Sequence, residues 1–330
     1  MRADKGQEHA TAPRPGPIVS VVICTLNRAE VLEGALQSLA DQTAPAGSFE
    51  VLVMDNGSTD HTAEVAERFG KVLDLRYLRE ARTGLSYARN AGYVEASGAY
   101  VAYLDDDATA RPDWVESILA AVEKESPDVL GGPVIPFFPA GRPAWFPPES
   151  QAWSLGDRMR ELHRDEYIRG ESIVIKKSAL ERLGGFRTDL GMKGNALGYG
   201  EETELQCRLR RTSAAARITY SPDVVVYHLV RPEKLTLGWQ LQRCWIQGRQ
   251  AGAIYDAEAF SARRFPRLHA LGKGAGHGIL AIFTALAAPF RSRRSYPYWR
   301  TYVMLRVLPH VYSFGAHSSF ALARRRAEVG

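Results

Sequence analysis

Cysteine is almost missing from this chain: Cys24, Cys207 and Cys244 are the only three among 330 residues, and they stand far apart. An odd, scattered set excludes a disulfide framework and offers no zinc-ligand spacing, so reduced packing residues of a cytosolic chain are expected. Long apolar runs are absent too. The strongest covers residues 279–290, which is too short for a helix to cross a bilayer. Residues 1–17 are polar, carry prolines at 13, 15 and 17, and have no apolar centre, so a disordered leader is expected rather than a signal peptide. No internal repeat is visible, which sets aside solenoids and arrays. Acidic residues thin out at the far end. Residues 231–330 hold 16 Lys and Arg against 4 Asp and Glu, leaving 26 against 33 elsewhere, from chain totals of 42 and 37. An acidic front thus carries a basic tail, and the tail suits an anionic partner.

With 45% apolar residues, the chain can bury one large core or two. Up to residue 135 strand and helix patterns alternate. A β-branched apolar run at 18–24 and strand patterns at 50–54, 72–78, 100–104 and 128–134 alternate with helical periodicity over 29–40, 60–69, 84–96 and 112–123. This predicts an α/β fold with a mainly parallel sheet flanked by helices, where ligands sit beyond the carboxyl ends of the strands. Polar clusters fall there: Thr25 to Arg28 after the first run, Asp55 to Asp60 after the second, and Asp105-Asp106-Asp107 after the fourth.

Residues 136–150 form a loop with five prolines and several aromatics, read as a mobile lid over a site or, less favoured, a packed connector. A strand over 171–176, helices over 178–183 and 200–211, and a strand over 224–227 ending at His228 follow. Helical spacing returns over 235–255. The apolar stretch at 279–290 leads directly into Arg291, Arg293 and Arg294, then Tyr296, Tyr298 and Trp299. Cations and aromatics beside an apolar helix fit an element lying on a membrane surface, or a helix packed on its own domain with a solvated basic face.

The aspartate triplet is the most informative stretch. Three adjacent carboxylates at the end of a buried strand repel one another and cannot spread as surface charges do. They would be held by a divalent cation with oxygen ligands, or form a solvated acidic turn that helps the next helix start.

Six motifs together resemble the family 2 glycosyltransferases of the GT-A (Rossmann-like) fold, over residues 19–228. They are Val-Val-Ile-Cys-Thr-Leu-Asn-Arg at 21–28, Val-Met-Asp-Asn-Gly-Ser-Thr-Asp at 53–60, Gly-Leu-Ser-Tyr-Ala-Arg-Asn-Ala-Gly at 84–92, Tyr-Leu-Asp-Asp-Asp at 103–107, Gly-Gly-Phe at 184–186 and Gly-Glu-Glu-Thr-Glu-Leu at 200–205. The resemblance implies transfer of a sugar from a nucleoside diphosphate, UDP- or GDP-linked, to an acceptor hydroxyl with inversion at the anomeric carbon. By analogy Asp107 would bind the metal, Asp105 would face the ribose or share the ion, and Asp106 would orient its neighbours. Oxygen ligation points to Mg²⁺ or Mn²⁺ rather than zinc. His228 resembles a histidine near the metal in some such enzymes, although a lone histidine is more often structural.

On the same pattern Thr25, Asn27, Arg28 and Asp55 would hold nucleobase and ribose. The Asp55 cluster also reads simply as a strand-to-helix turn. Arg82 and Arg89 are candidates for a base or phosphate contact, or for pairing with a carboxylate. The proton-accepting base of the family falls at Glu202, with Glu201 beside it, where an aspartate is usual. A helix N-terminus also favours acids through its dipole. The expected layout is a leader (1–17), a transferase domain (18–230, with a nucleotide half 18–135 and an acceptor half 136–230) and a basic helical region (231–330). Polysaccharide, glycolipid or glycoconjugate synthesis is expected, with a sugar or lipid-linked acceptor. The protein would be cytoplasmic, peripheral at the inner face of an anionic membrane, and would not bind nucleic acid. The alternatives are a sugar-nucleotide pyrophosphorylase, whose glycine-rich phosphate loop is not seen at Cys24 to Arg28, and a non-catalytic sugar- or lipid-binding scaffold.

Overall fold

The computed structural model describes residues 16–194, 196–254, 266–291 and 293–322; most of the expected leader lies outside them. The front of the chain runs β1 (Val19–Thr25), α1 (Ala29–Ala40), β2 (Phe49–Asp55), α2 (Thr62–Phe69), β3 (Leu75–Arg79), α3 (Leu85–Glu95), β4 (Tyr100–Leu104), β5 (Ala108–Ala110) and α4 (Trp114–Glu125). The middle adds β6 (Val129–Gly131), β7 (Val134–Phe137), β8 (Arg160–Glu161), β9 (Ser172–Lys176), α5 (Lys177–Leu183), α6 (Glu201–Thr212), β10 (Ile218–Tyr220) and β11 (Val226–Leu229). Helices α7 (Leu237–Ile254), α8 (Pro266–Leu286), α9 (Trp299–Tyr302) and α10 (Leu308–Leu322) complete it, with a π-helical turn, Val303–Val307, joining α9 to α10.

Eight strands form one sheet in the order β3-β2-β1-β4-β9-β6-β10-β8. β1, β2, β3 and β4 are mutually parallel, whereas β9 runs antiparallel between β4 and β6. Alternation along each strand divides the core into two layers. Val19, Val21 and Ile23 of β1 pack with Leu32 and Leu36 of α1 and Trp114 and Ile118 of α4. Val22, Leu52 and Met54 face the other way, onto Ala88 of α3, Leu180 of α5 and Leu205 of α6. Both faces of the strands are therefore covered, which explains the continuous apolar runs in the sequence.

The fold departs from the periodicity in three places. The run at 128–134 splits into β6 and β7, which belong to different sheets, because Gly132 passes so close to the chain that a Cβ there would lie 2.2 Å from the Val224 carbonyl oxygen. The strand expected to end at His228 instead contains it: β11 sits between β5 and β7 in a three-stranded sheet, with His228 opposite Ala108 and Pro136. The proline-rich loop is no free lid. Phe146 is fully buried and, with Trp145, packs against Val230, Leu235, Met304 and Leu308. The C-terminal helices thus clamp that loop, and the Thr301 hydroxyl donates a hydrogen bond to the Trp145 carbonyl.

Helix α10 packs between α7 and α8. No helix among the described residues is long and apolar enough to cross a membrane.

Candidate active site

In the order β3-β2-β1-β4 the sheet grows first one way from β1 and then the other, so β1 and β4 flank a switch point, where such sheets open a crevice beyond the strand ends. Thr25 and Arg28 follow β1 there, and Asp105, Asp106 and Asp107 follow β4. Because β9 runs antiparallel, its beginning rather than its end reaches this edge. Arg169, Gly170 and Glu171 therefore face the triplet, and the Asp105 amide donates to the Glu171 carbonyl at 3.4 Å. The small sheet brings in His228 from the other side, fixed by a 2.8 Å bond from the Leu229 amide to the Asp107 carbonyl. Helix α6 opens with Glu201 and Glu202. Together these groups line a cavity of about 450 Å³.

The cavity has two chemically different ends. At one end the Asp107 carboxylate has four positively charged or hydrogen-donating neighbours. These are His228 Nε2 at 3.1 Å, Lys234 Nζ at 3.5 Å, Arg231 Nε at 3.7 Å and Arg28 Nη1 at 3.8 Å. Burial raises its pKa, but the His228 hydrogen bond and the nearby cations outweigh that and hold it far below the usual carboxylate range. Arg28 Nη1 donates at 2.8 Å to Asp106. Half-buried Asp105 is poorly compensated: its contact with Arg89 Nη2 is 3.4 Å, and burial, with Asp107 and Glu171 adding repulsion, pushes its pKa up to about 7.

At the other end Glu202 lines the cavity, and its pKa is pushed up to about 8, first by burial and then by the neighbouring Glu201 charge. Glu201 itself is buried and accepts a 2.8 Å bond from Arg89 Nη1. Arg89 is only 3% exposed, also donates to the Gly170 carbonyl at 3.2 Å, and lies against the rings of Tyr103 and Phe186. It is a buried tie between the two ends. Near it Glu171, paired with Arg169 at 2.7 Å, is raised by burial but brought down to about 2 by Arg169, His228 and Arg243.

A divalent cation fits this corner. Asp105, Asp107 and His228 each offer one ligand atom, and these atoms lie within 4.8 Å of one another. The raised pKa of Asp105 supports the same placement, since a shared cation would offset the burial and the repulsion from Asp107 and Glu171 that favour a proton.

The structure distributes the sequence candidates unevenly. Thr25, Arg28, Arg89, Asp105, Asp106, Asp107, His228, Glu201 and Glu202 all line the cavity. Asn27, Asp55 and Arg82 do not. Asn27 shapes the loop: with a φ of 53° it accepts the Thr59 amide at 2.7 Å and donates its own amide to Ser58 Oγ at 2.8 Å. Asp55 is fully buried, accepting from the Ser58 amide and the Tyr77 hydroxyl. Arg82 points away and forks onto Glu80 at 2.9 and 2.8 Å. The neighbouring Asn56, inside the 53–60 motif, lines the cavity instead; so do Arg169, Glu171, Arg231, Lys234, Trp239 and Arg243, which no motif marked. The Arg-Pro-Glu-Lys run directly after β11 was the available signal for two of them. It also shows that residues assigned to a separate basic region share the cavity.

The chain belongs to glycosyl transferase family 2, whose model matches residues 20–184. It is 30% identical over 242 residues to the glucosyl-dolichyl phosphate glucuronosyltransferase of Haloferax volcanii, covering 70% of this chain and 75% of that protein. Glycosyltransferase AglE of the same organism is 30% identical over 251 residues, covering 75% and 77% respectively. Among solved structures, the mannosyltransferase PcManGT of Pyrobaculum calidifontis, in complex with GDP-Man and Mn²⁺, matches with a TM-score of 0.58 at 23% identity, covering 95% of this chain and 90% of that one. The protein is thus a nucleotide-sugar-dependent glycosyltransferase with the GT-A fold. The pyrophosphorylase and scaffold alternatives fall away.

Proposed function

We propose that this protein is an inverting transferase that moves a sugar from a UDP- or GDP-linked donor to the hydroxyl of a sugar or lipid-linked acceptor, in polysaccharide, glycolipid or glycoconjugate synthesis. The observation that carries this reading is Glu202, a carboxyl held near the working pH of a general base, in one cavity with the Asp105–Asp107–His228 corner.

Glu202 accepts the proton of the acceptor hydroxyl. The acceptor oxygen bonds to the anomeric carbon on the face away from the diphosphate, and the sugar–oxygen bond breaks with its electron pair leaving on the nucleoside diphosphate. Arg231 and Lys234, beside Asp107 at the corner, would neutralise charge gathering on that diphosphate, and Arg28, paired with Asp106, lines the same wall. Asp105, Asp107 and His228 would hold Mg²⁺ or Mn²⁺, and the imidazole among the donors favours Mn²⁺. Such an ion, when bound, neutralises charge developing on the leaving group. Arg89 donates to Glu201 and contacts Asp105, which holds the two carboxylates apart, a positioning role. On this reading residues 18–230 together with the 231–254 segment do the chemistry. The protein works at the cytoplasmic face of a membrane without crossing it.

A panel of nucleotide sugars tested with and without Mn²⁺ decides the matter. One nucleotide class should raise the melting temperature only with the cation, and the product should carry the inverted anomeric configuration by NMR. A retained configuration, or no metal-dependent response to any donor, would falsify the proposal.

A further inference from the structure

Helix α8 carries small residues on one side and an apolar ridge on the other, with Arg267, His269, Lys273 and His277 as its charged or titratable residues. The inner side, with Ala270, Gly274 and Gly278, faces α10, where Gly274 lies against Ser318 and Gly278 against the ring of Phe314. The outer side is exposed along its length: Leu268 is 68% accessible, Ile279 54%, Ile282 62%, Phe283 66% and Leu286 65%, and Phe290 just beyond reaches 90%. An exposed apolar ridge of this length normally marks a contact surface. Here, among the described residues, nothing covers the outer side.

The charge around this face has one sign. Between Glu258 and Glu328 the sequence has twelve Lys and Arg and no Asp or Glu. Arg293, Arg294 and Arg300 are exposed directly after the apolar ridge, together with Tyr298 and Trp299 at 46% and 50%. A protein partner of acidic character would satisfy the arginines but not the bare ridge of Ile, Leu and Phe. A second copy of this chain would bring like charges together. An anionic lipid surface meets both demands, hydrocarbon for the ridge and phosphate for the guanidinium groups.

We propose that the outer side of α8, from Leu268 to Phe290, lies in the headgroup boundary of an anionic bilayer, with Arg293, Arg294 and Arg300 on lipid phosphates. The proposal deepens the membrane-surface reading given above by assigning the face that does the docking. It also orients the molecule, because α10 joins α8 to α7, and Trp239 and Arg243 of α7 line the active-site cavity.

The test needs no sugar substrate, so it stands or falls separately from the assigned chemistry. The full chain is sedimented with sucrose-loaded vesicles of phosphatidylcholine, alone or with about a third phosphatidylglycerol. Binding is expected only to the anionic vesicles, and it should weaken with salt. Arg293→Gln with Arg294→Gln should lower partitioning roughly fivefold per charge removed, the fold-change equal to about 1 kcal/mol. Ile282→Ser with Phe283→Ser should abolish it, while circular dichroism melting and donor turnover in vesicle-free solution stay at the parent values. Equal binding to neutral vesicles, or no binding to either, overturns the proposal. So does a dimer by analytical ultracentrifugation that the Ile282→Ser, Phe283→Ser variant dissolves.

Discussion

Asp107 and Glu202 are carboxylates of the same cavity in opposite surroundings. Asp107 has Lys234, Arg231, Arg28 and His228 around it, and its proton is driven off. Glu202 has burial and the charge of Glu201, and its proton is retained up to about pH 8. Chain composition does not produce that difference, since both ends are rich in acids. It comes from which cations the fold delivers, and to which end. This separation of pKa values is what the proposed division of labour needs, one group ionised to anchor charge and the other able to bind a proton near neutral pH.

The contrast can be broken from either end. Asp107→Ala should give the largest effect: loss of detectable metal-dependent donor turnover, measured as nucleoside diphosphate release, with the melting curve still cooperative. Next comes Glu202→Gln, which should cut transfer by about a hundred to ten-thousandfold while nucleotide binding by calorimetry stays unchanged. Equal losses in both would make Glu202 a structural acid. Arg89→Met removes the cation between the ends. It leaves Glu201 buried with an unpaired charge and should cost roughly 3–5 kcal/mol of stability in a urea titration at neutral pH. Arg89 also lowers the pKa of Glu202, so any activity left in this variant should rise at higher pH than in the parent.

The gentlest probe is pH itself. On the proposed mechanism Glu202 acts only after losing its proton, so transfer should climb about tenfold per pH unit below about 8 and level off above it. The same raised pKa has a stability sign. The folded protein holds this proton more tightly than the unfolded chain, so the contribution of Glu202 to stability is lost as pH rises from the ordinary carboxylate range through about 8. A profile flat from pH 6 to 9 would remove Glu202 as the titrating base.

Much of this was visible in the sequence, for identifiable reasons. β1, β2 and β4 are buried on both faces, so their runs are mostly apolar, and the polar residues just after them mark the strand ends. That made Arg28, the aspartate triplet and the Glu201-Glu202 pair readable. The direction of β9 was not. A five-residue strand with three apolar residues at its centre looks the same whichever way it points, and its reversal is what carries Arg169 and Glu171 to the site. The break between β6 and β7 depends on the close approach of Gly132 to Val224, a contact across about 90 residues that no local pattern records. Arg82 misled because cations near a motif attract attention, although Glu80 two residues earlier supplies its partner. The proline-rich loop misled in a similar way, since its pinning residues Met304 and Leu308 lie far down the chain.

The reversed strand β9 ties the segment before it to the aspartate triplet. The Asp105 amide sits on the Glu171 carbonyl and Arg89 on the Gly170 carbonyl, so the entry into β9 and the end of β4 move as one piece. An insertion between residues 168 and 171 would therefore displace Asp105 along with the segment itself.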